Sequence, residues 1–397
     1  MSEHAAQLNA ALRLLAHVRR CCAALADGES EASAWSPACW RGRFDADARW
    51  WVHCVLTPEA REDCAILRVE LPAEIEREGS VGQLASVLRA IAPRLREVLA
   101  TAPASIVERR VESAFEPALY TSRFAGLPGA FGPLDDALPG VTLFLHGSLA
   151  DHTATAFSDV DDFVILRAEA WRDAQTLRRV GTALARVARG YQEIDPFQHH
   201  GHWLVTEFDL LYYDESIMPL NVLDGARRVA GENHIAVRRS ADTGGFHRNI
   251  TSTLRTMRRR LQLIEQQRGM NAFRLKGLVG EIALLPAYLF QSRGQMPSKS
   301  EAIRRAGELF SSAALTALEW ATRVRAEFAP VVECARVNRL RWWAARFCAR
   351  RGQAETMFKR WAPWISAVHP LGPKVRVVEA VRQFADESEA LAESPSA

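Results

Sequence analysis

The chain contains no long hydrophobic run. Nowhere do its apolar residues approach the 18 or more that a transmembrane helix needs. Its basic, alanine-rich start lacks the continuous apolar core of a signal peptide. Cys-x-x-Cys is missing too, and the seven cysteines (Cys21, Cys22, Cys39, Cys54, Cys64, Cys334, Cys348) are odd in number. This favours reduced, buried thiols over a disulfide framework or zinc site, with the cytoplasm as the expected compartment. Net charge is small, +3 over 397 residues, but unevenly spread. From Gly245 to Val375 there are 23 Lys and Arg against 8 Asp and Glu, a net of about +15, which leaves about −12 elsewhere. What is present, 48% hydrophobic and 24% charged residues, suits a globular chain of two or three domains.

The stretch from Val141 to Leu166 carries the chemistry. Val141 to Leu145 is a short apolar run of the kind that makes a buried strand. Gly147 and Ser148 follow, then Asp159-Val160-Asp161, then a second apolar run from Phe163 to Leu166. Alternate residues of a strand share a face, so Asp159 and Asp161 point the same way. Two such carboxylates can hold a pair of Mg²⁺ ions roughly 3.5–4 Å apart for in-line phosphoryl displacement. Gly147 permits a tight turn, and Ser148 is expected at a helix start whose N–H groups suit a triphosphate. Asp162 falls on the opposite face, where a salt bridge or a sheet edge is expected ahead of metal binding.

These residues resemble the nucleotidyltransferase superfamily with the DNA polymerase beta-like core, whose pattern is Gly-Ser, about ten residues, then acidic-hydrophobic-acidic. The resemblance covers about a third of the chain. It implies an α+β fold: a small mixed nucleotidyltransferase sheet flanked by helices, a C-terminal α-helical domain and an N-terminal α/β extension. It also implies transfer of an NMP from an NTP, ATP favoured, to an acceptor hydroxyl, with Mg²⁺ as cofactor in two ions that Mn²⁺ can replace. Asp159 and Asp161 would be metal ligands and catalytic, and Gly147 and Ser148 would bind the departing phosphates. A third acid is expected on a later strand. Trp203 to Tyr213 reads as that strand, with Asp209 as the choice for catalysis and metal binding and Glu207 as the alternative. Lys276 and Lys299 are candidate triphosphate ligands, because such enzymes often take a basic side chain from the helical domain.

Periodicity supplies the remaining organisation. Ala5 to Ala26 and Val81 to Leu99 read as amphipathic helices, and Trp50 to Leu56 with Cys64 to Leu71 as a hairpin. Ser105 to Leu138 reads as a helix and then a Gly/Pro loop, and Ala170 to Arg189 as a helix. His199, His200 and His202 suggest a nucleotide contact or an ordinary turn; zinc lacks a second ligand pair. After Gly245 the period is helical: Ile250 to Gln267, Ala272 to Ser292 kinked at Pro286, Ser300 to Glu327, Val331 to Arg351 and Ala354 to Trp364. Arginines and tryptophans from Arg339 to Trp364 can hold phosphates and stack bases, or form a bundle core with a wet side. Arg360 and His369 are too far apart for a HEPN-type ribonuclease. Asp386 to Ala397 reads as a disordered acidic tail. The expected domains are 1–104, 105–242, 243–385 and 386–397. The basic half points to an anionic acceptor, RNA, a tRNA end or a nucleotide, ahead of a small molecule, with no membrane partner. A binding module that keeps the fold without turnover is the non-enzymatic alternative.

Overall fold

The computed structural model describes residues 3–26, 57–73, 80–120, 124–134, 138–195, 198, 201–242, 244–267, 270, 272–328 and 370–393. The expected strand at Trp50, the helices at 331–364, the arginine–tryptophan cluster, His199 and His200 lie outside them. The fold is α+β. It forms two compact units, one of Met1–Asp151 with Val160–Ala241, the other of His152–Asp159 with Asp242–Ala397.

The first unit opens with helix α1 (Glu3–Ala26), whose leucine stripe buries Leu14, Leu15, Val18 and Leu25. Helix α2 (Pro58–Ile66) replaces the second expected hairpin strand: Thr57 accepts a hydrogen bond from the Ala60 N–H, and Pro58 sits at the first helical position. Cap and proline outweigh the apolar look of the segment. Helix α3 (Ser80–Thr101) follows, and then strand β1 (Ala104–Arg110), where a helix was expected. The half-exposed residues of β1 pair antiparallel with β6, far ahead in the chain, so no local apolar pattern announces them. A short helix α4 (Leu127–Phe131) precedes β2 (Val141–His146), and β3 runs Asp161–Leu166.

Helix α5 (Ala174–Ile194), capped by Asp173 on the Thr176 N–H at 2.7 Å, carries the chain over to β4 (Trp203–Thr206), which is parallel to β3. A parallel neighbour requires such a crossover. Strands β5 (Arg227–Ala230) and β6 (His234–Ser240) close the unit, giving a sheet of order β4-β3-β2-β5 and a separate β1-β6 pair. Alternation then sorts β3. Phe163 and Ile165 enter a core with Phe144, Val205, Tyr213, Ile235 and Val237, while Asp162 faces Tyr191 of α5. On that helical side α1 crosses α5 so closely that a Cβ at Gly181 would stand 2.5 Å from Leu25 Cγ.

The second unit is helical among its described residues: α6 (Gly244–Gln267), α7 (Ala272–Ser292), α8 (Lys299–Arg304), α9 (Ser312–Glu327) and α10 (Val375–Glu393). Pro286 lies inside α7 without ending it. The expected helix from Ser300 to Glu327 is interrupted between Arg304, where α8 ends, and Ser311, which caps α9. Residues 386–393, expected to be disordered, continue α10. Arg258 of α6 binds Glu389 at 2.6 Å and Asp386 at 3.0 Å, and Phe384 stacks on Phe310. Acidic side chains here answer a basic helix face instead of solvating a tail. Among the described residues, no helix is long and apolar enough to cross a membrane.

Gly181→Val should lower stability by about 1–3 kcal/mol, because overpacking at the α1–α5 crossing exceeds any helix-propensity gain. Urea unfolding checks this; an unchanged or raised midpoint would count against the close crossing.

Candidate active site

Strand β2 ends in a corner. Gly147 has φ +68, the left-handed region that favours glycine. A single 3-10 turn, Gly147–Leu149, follows, with the Ala150 and Asp151 N–H groups both donating to the Gly147 carbonyl. The expected helix start at Ser148 is therefore one turn only, and Ser148 is half-buried. His146 lies opposite Asp161 in the β2–β3 ladder. A Cβ added at Gly147 would come 3.3 Å from Asp161 Oδ2. Glycine and carboxylate thus share one corner, and the Asp161 side chain stays partly exposed there.

Two groups fix the chain entering β3. The Gln198 amide accepts from the Val160 N–H at 3.0 Å and donates to the Val160 carbonyl at 2.8 Å, so one side chain imitates a strand neighbour. Two residues later, Asp162 is fully buried against His202 (2.5 Å) and the Tyr191 hydroxyl (2.7 Å). His202 Nε2 lies 2.9 Å from the Leu184 carbonyl, which can only accept, so that nitrogen carries a proton. Burial, reinforced by the neighbouring Asp162 carboxylate, pushes the Tyr191 hydroxyl well above its usual pKa, so it remains a donor. His202 therefore holds the opposite face of the strand. Sequence reasoning flagged it within the histidine cluster but had no signal for Gln198.

Asp159 is described with the second unit. There the segment 152–159 makes a compact turn, with the Thr155 N–H donating to Ser158 Oγ and the Phe157 N–H to Thr155 Oγ1. Asp159 Oδ1 meets Lys276 Nζ of α7 at 2.5 Å, and the lysine side chain is only 3% exposed. Lys276 was a candidate triphosphate ligand; here its partner is a carboxylate. Lys299 is exposed at the first position of α8.

The third acid is not where the sequence suggested. Strand β4 stops at Thr206, and Asp209 opens a 3-10 turn. Thr206 pairs with Leu166, so Asp209 and Glu207 lie at the end of β3 opposite Asp161. At about 3.3 Å per residue, Asp161 and Leu166 are themselves about 16 Å apart. Asp209 is buried, accepts from the Thr206 N–H and hydroxyl, and binds Arg19 of α1 at 2.5 Å. Burial pushes its carboxyl above the ordinary range, opposed by Arg19 and the Thr206 bonds. Glu207 binds Arg96 and accepts from the Ala168 N–H. Both acids act as staples between helix, loop and sheet.

These donors do not fit the expected pair of metal ions. No group of three or more His, Cys, Asp or Glu suited to a metal occurs among the described residues. One carboxylate with nucleotide phosphates and water is a common Mg²⁺ environment in general. Compared with known proteins, the chain matches no family model, no curated protein and no solved structure.

Arg19→Met should cost about 3–5 kcal/mol at neutral pH, because it leaves Asp209 buried without its cation. The variant's folded-state carboxyl pKa then rises further, so its deficit shrinks as pH falls towards the ordinary carboxylate range near pH 4. Urea melts at pH 4.5 and 7.5 test the sign; a deficit that grows on acidification would contradict the pairing.

Proposed function

We propose that this protein is a nucleotidyltransferase that binds an NTP, ATP favoured, at the Gly147–Ser148 corner and transfers its NMP to an acceptor hydroxyl, releasing pyrophosphate. The observation that carries the reading is the Asp161 carboxylate set against the left-handed Gly147 turn at the open end of the β2–β3 pair. Backbone N–H groups and the Ser148 hydroxyl at such a corner suit phosphate oxygens. Asp161, held in place through Val160 and Asp162, would orient the phosphates and carry a Mg²⁺ ion entering with them. Bound there, the ion would offset charge on the departing pyrophosphate. Asp209 is dropped from the catalytic set; its part is to tie α1 to the turn after β4.

The acceptor is read as anionic, RNA or another nucleotide, on the +15 surplus of residues 245–375. That surplus is partly answered within the second unit, since Arg258 and Arg260 are taken by Glu389, Asp386 and Glu281. A small-molecule acceptor is the outcome if labelling ignores salt. A second reading, nucleotide binding without turnover, is favoured by one fact: two of the three expected acids already hold a cationic side chain.

With labelled NTPs, Mg²⁺ or Mn²⁺ and an RNA pool, the full chain should release pyrophosphate. Asp161→Asn should lower that release on the order of 10²–10³-fold, and Asp209→Asn should leave it within a few-fold of wild type at a temperature where it is folded. Release that survives Asp161→Asn removes the assignment. Nucleotide bound with no release in wild type selects the second reading.

A further inference from the structure

We propose that the solvent face of α5 binds the phosphate backbone of a base-paired nucleic acid. The surface lies wholly within the first unit, and the inference stands whether or not the Gly147 corner turns over nucleotide.

The first unit as a whole is acidic, with 25 arginines and no lysine against 32 Asp and Glu. Helix α5 runs against that balance. From Ala174 to Gln192 it carries four arginines and no acid. Its apolar side is used in packing, with Leu177, Val180, Leu184 and Val187 all buried. Among its described side chains the exposed ones are Gln175, Arg178, Arg179 and Arg186.

These three arginines have no acid to answer them on their own helix. Side chains three and four residues apart are neighbours on a helix. Around Arg178, Arg179 and Arg186 those positions hold only Gln, Thr, Ala, Gly and a further Arg. Other exposed arginines of the unit are paired, Arg13 with Asp63, Arg68 with Glu3, Arg96 with Glu207 and Arg110 with Glu112. Among the described residues, no hydrogen bond or ion pair holds Arg178, Arg179 or Arg186.

Arg179 and Arg186 stand two helical turns apart, on a line about 10.5 Å long, with Arg178 beside it. Such a row of like charges repels itself and gains where a linear polyanion lies along it. Each guanidinium fork matches phosphate oxygens with two hydrogen bonds. The exposed side chains include no aromatic ring to stack an unpaired base and no apolar group to enter a bilayer. Outward-facing phosphates of a duplex are the anions that such a face fits. The negative balance of the rest of the unit repels a polyanion elsewhere and favours this approach.

Fluorescence anisotropy of a labelled RNA hairpin, and of a DNA duplex of equal length, tests this with the full chain at several salt concentrations. For Arg178→Gln/Arg179→Gln/Arg186→Gln, affinity for both should fall on the order of tenfold, and the slope of log K against log salt should become shallower by about 2–3, as the loss of three phosphate contacts requires. Glutamine keeps a good helix propensity, and circular dichroism checks the fold. Arg255→Gln/Arg259→Gln, at exposed positions of α6, is the comparison. A slope that falls in the α6 variant while the α5 variant binds as wild type does overturns the proposal. So does a wild-type chain that binds neither nucleic acid, or that takes up anionic lipid vesicles in preference to both.

Discussion

Strand β3 presents Asp161 at the Gly147 corner only because its first residues are gripped from two sides, by Gln198 on the Val160 peptide and by His202 and Tyr191 on Asp162. The Asp162–His202 pair is fully buried, and breaking such a pair by removing one member typically costs about 3–5 kcal/mol. A one-residue slip of β3 would therefore bury Asp161 against α5 and expel Asp162, which the histidine and tyrosine forbid. Register is fixed by a polar contact here, where an apolar pattern alone would leave room for error.

Charge pairing explains most other departures from expectation. Asp209, Glu207 and Asp159 each meet a cationic side chain, from α1, α3 and α7 respectively. Within the first unit, two of these pairings tie the residues just after β4 to a helix. Asp161 stands half-buried beside the left-handed Gly147. The site is accordingly narrower in chemistry than three carboxylates would make it.

Local pattern revealed the elements whose stability is local. The leucine stripe of α1, the apolar runs of β2 and β3 and the period of α5 all lie close to where periodicity placed them. Strand β1 was illegible because its residues pair with a strand more than a hundred positions later and bury no continuous face. The segment at Cys64 misled because three apolar residues imitate a strand, whereas Thr57 and Pro58 start a helix before them. At Asp209 the flanking Phe208 and Leu210 do face cores, but through a 3-10 turn, so hydrophobic flanks did not mean strand. The lysine on Asp159 had no local signal at all; only folding brings α7 to it.

Helix α10 has a further bearing on handling the protein. Val378, Val381 and Phe384 are buried in the second unit, and Phe384 covers Phe310. Trimming the chain at Pro373, as the acidic composition of its last residues would invite, strips an oily strip from the bundle and leaves Arg258 without its two carboxylates. Shortened versions would be sticky where the intact protein is wet, and any purification strategy that clips this end selects for self-association.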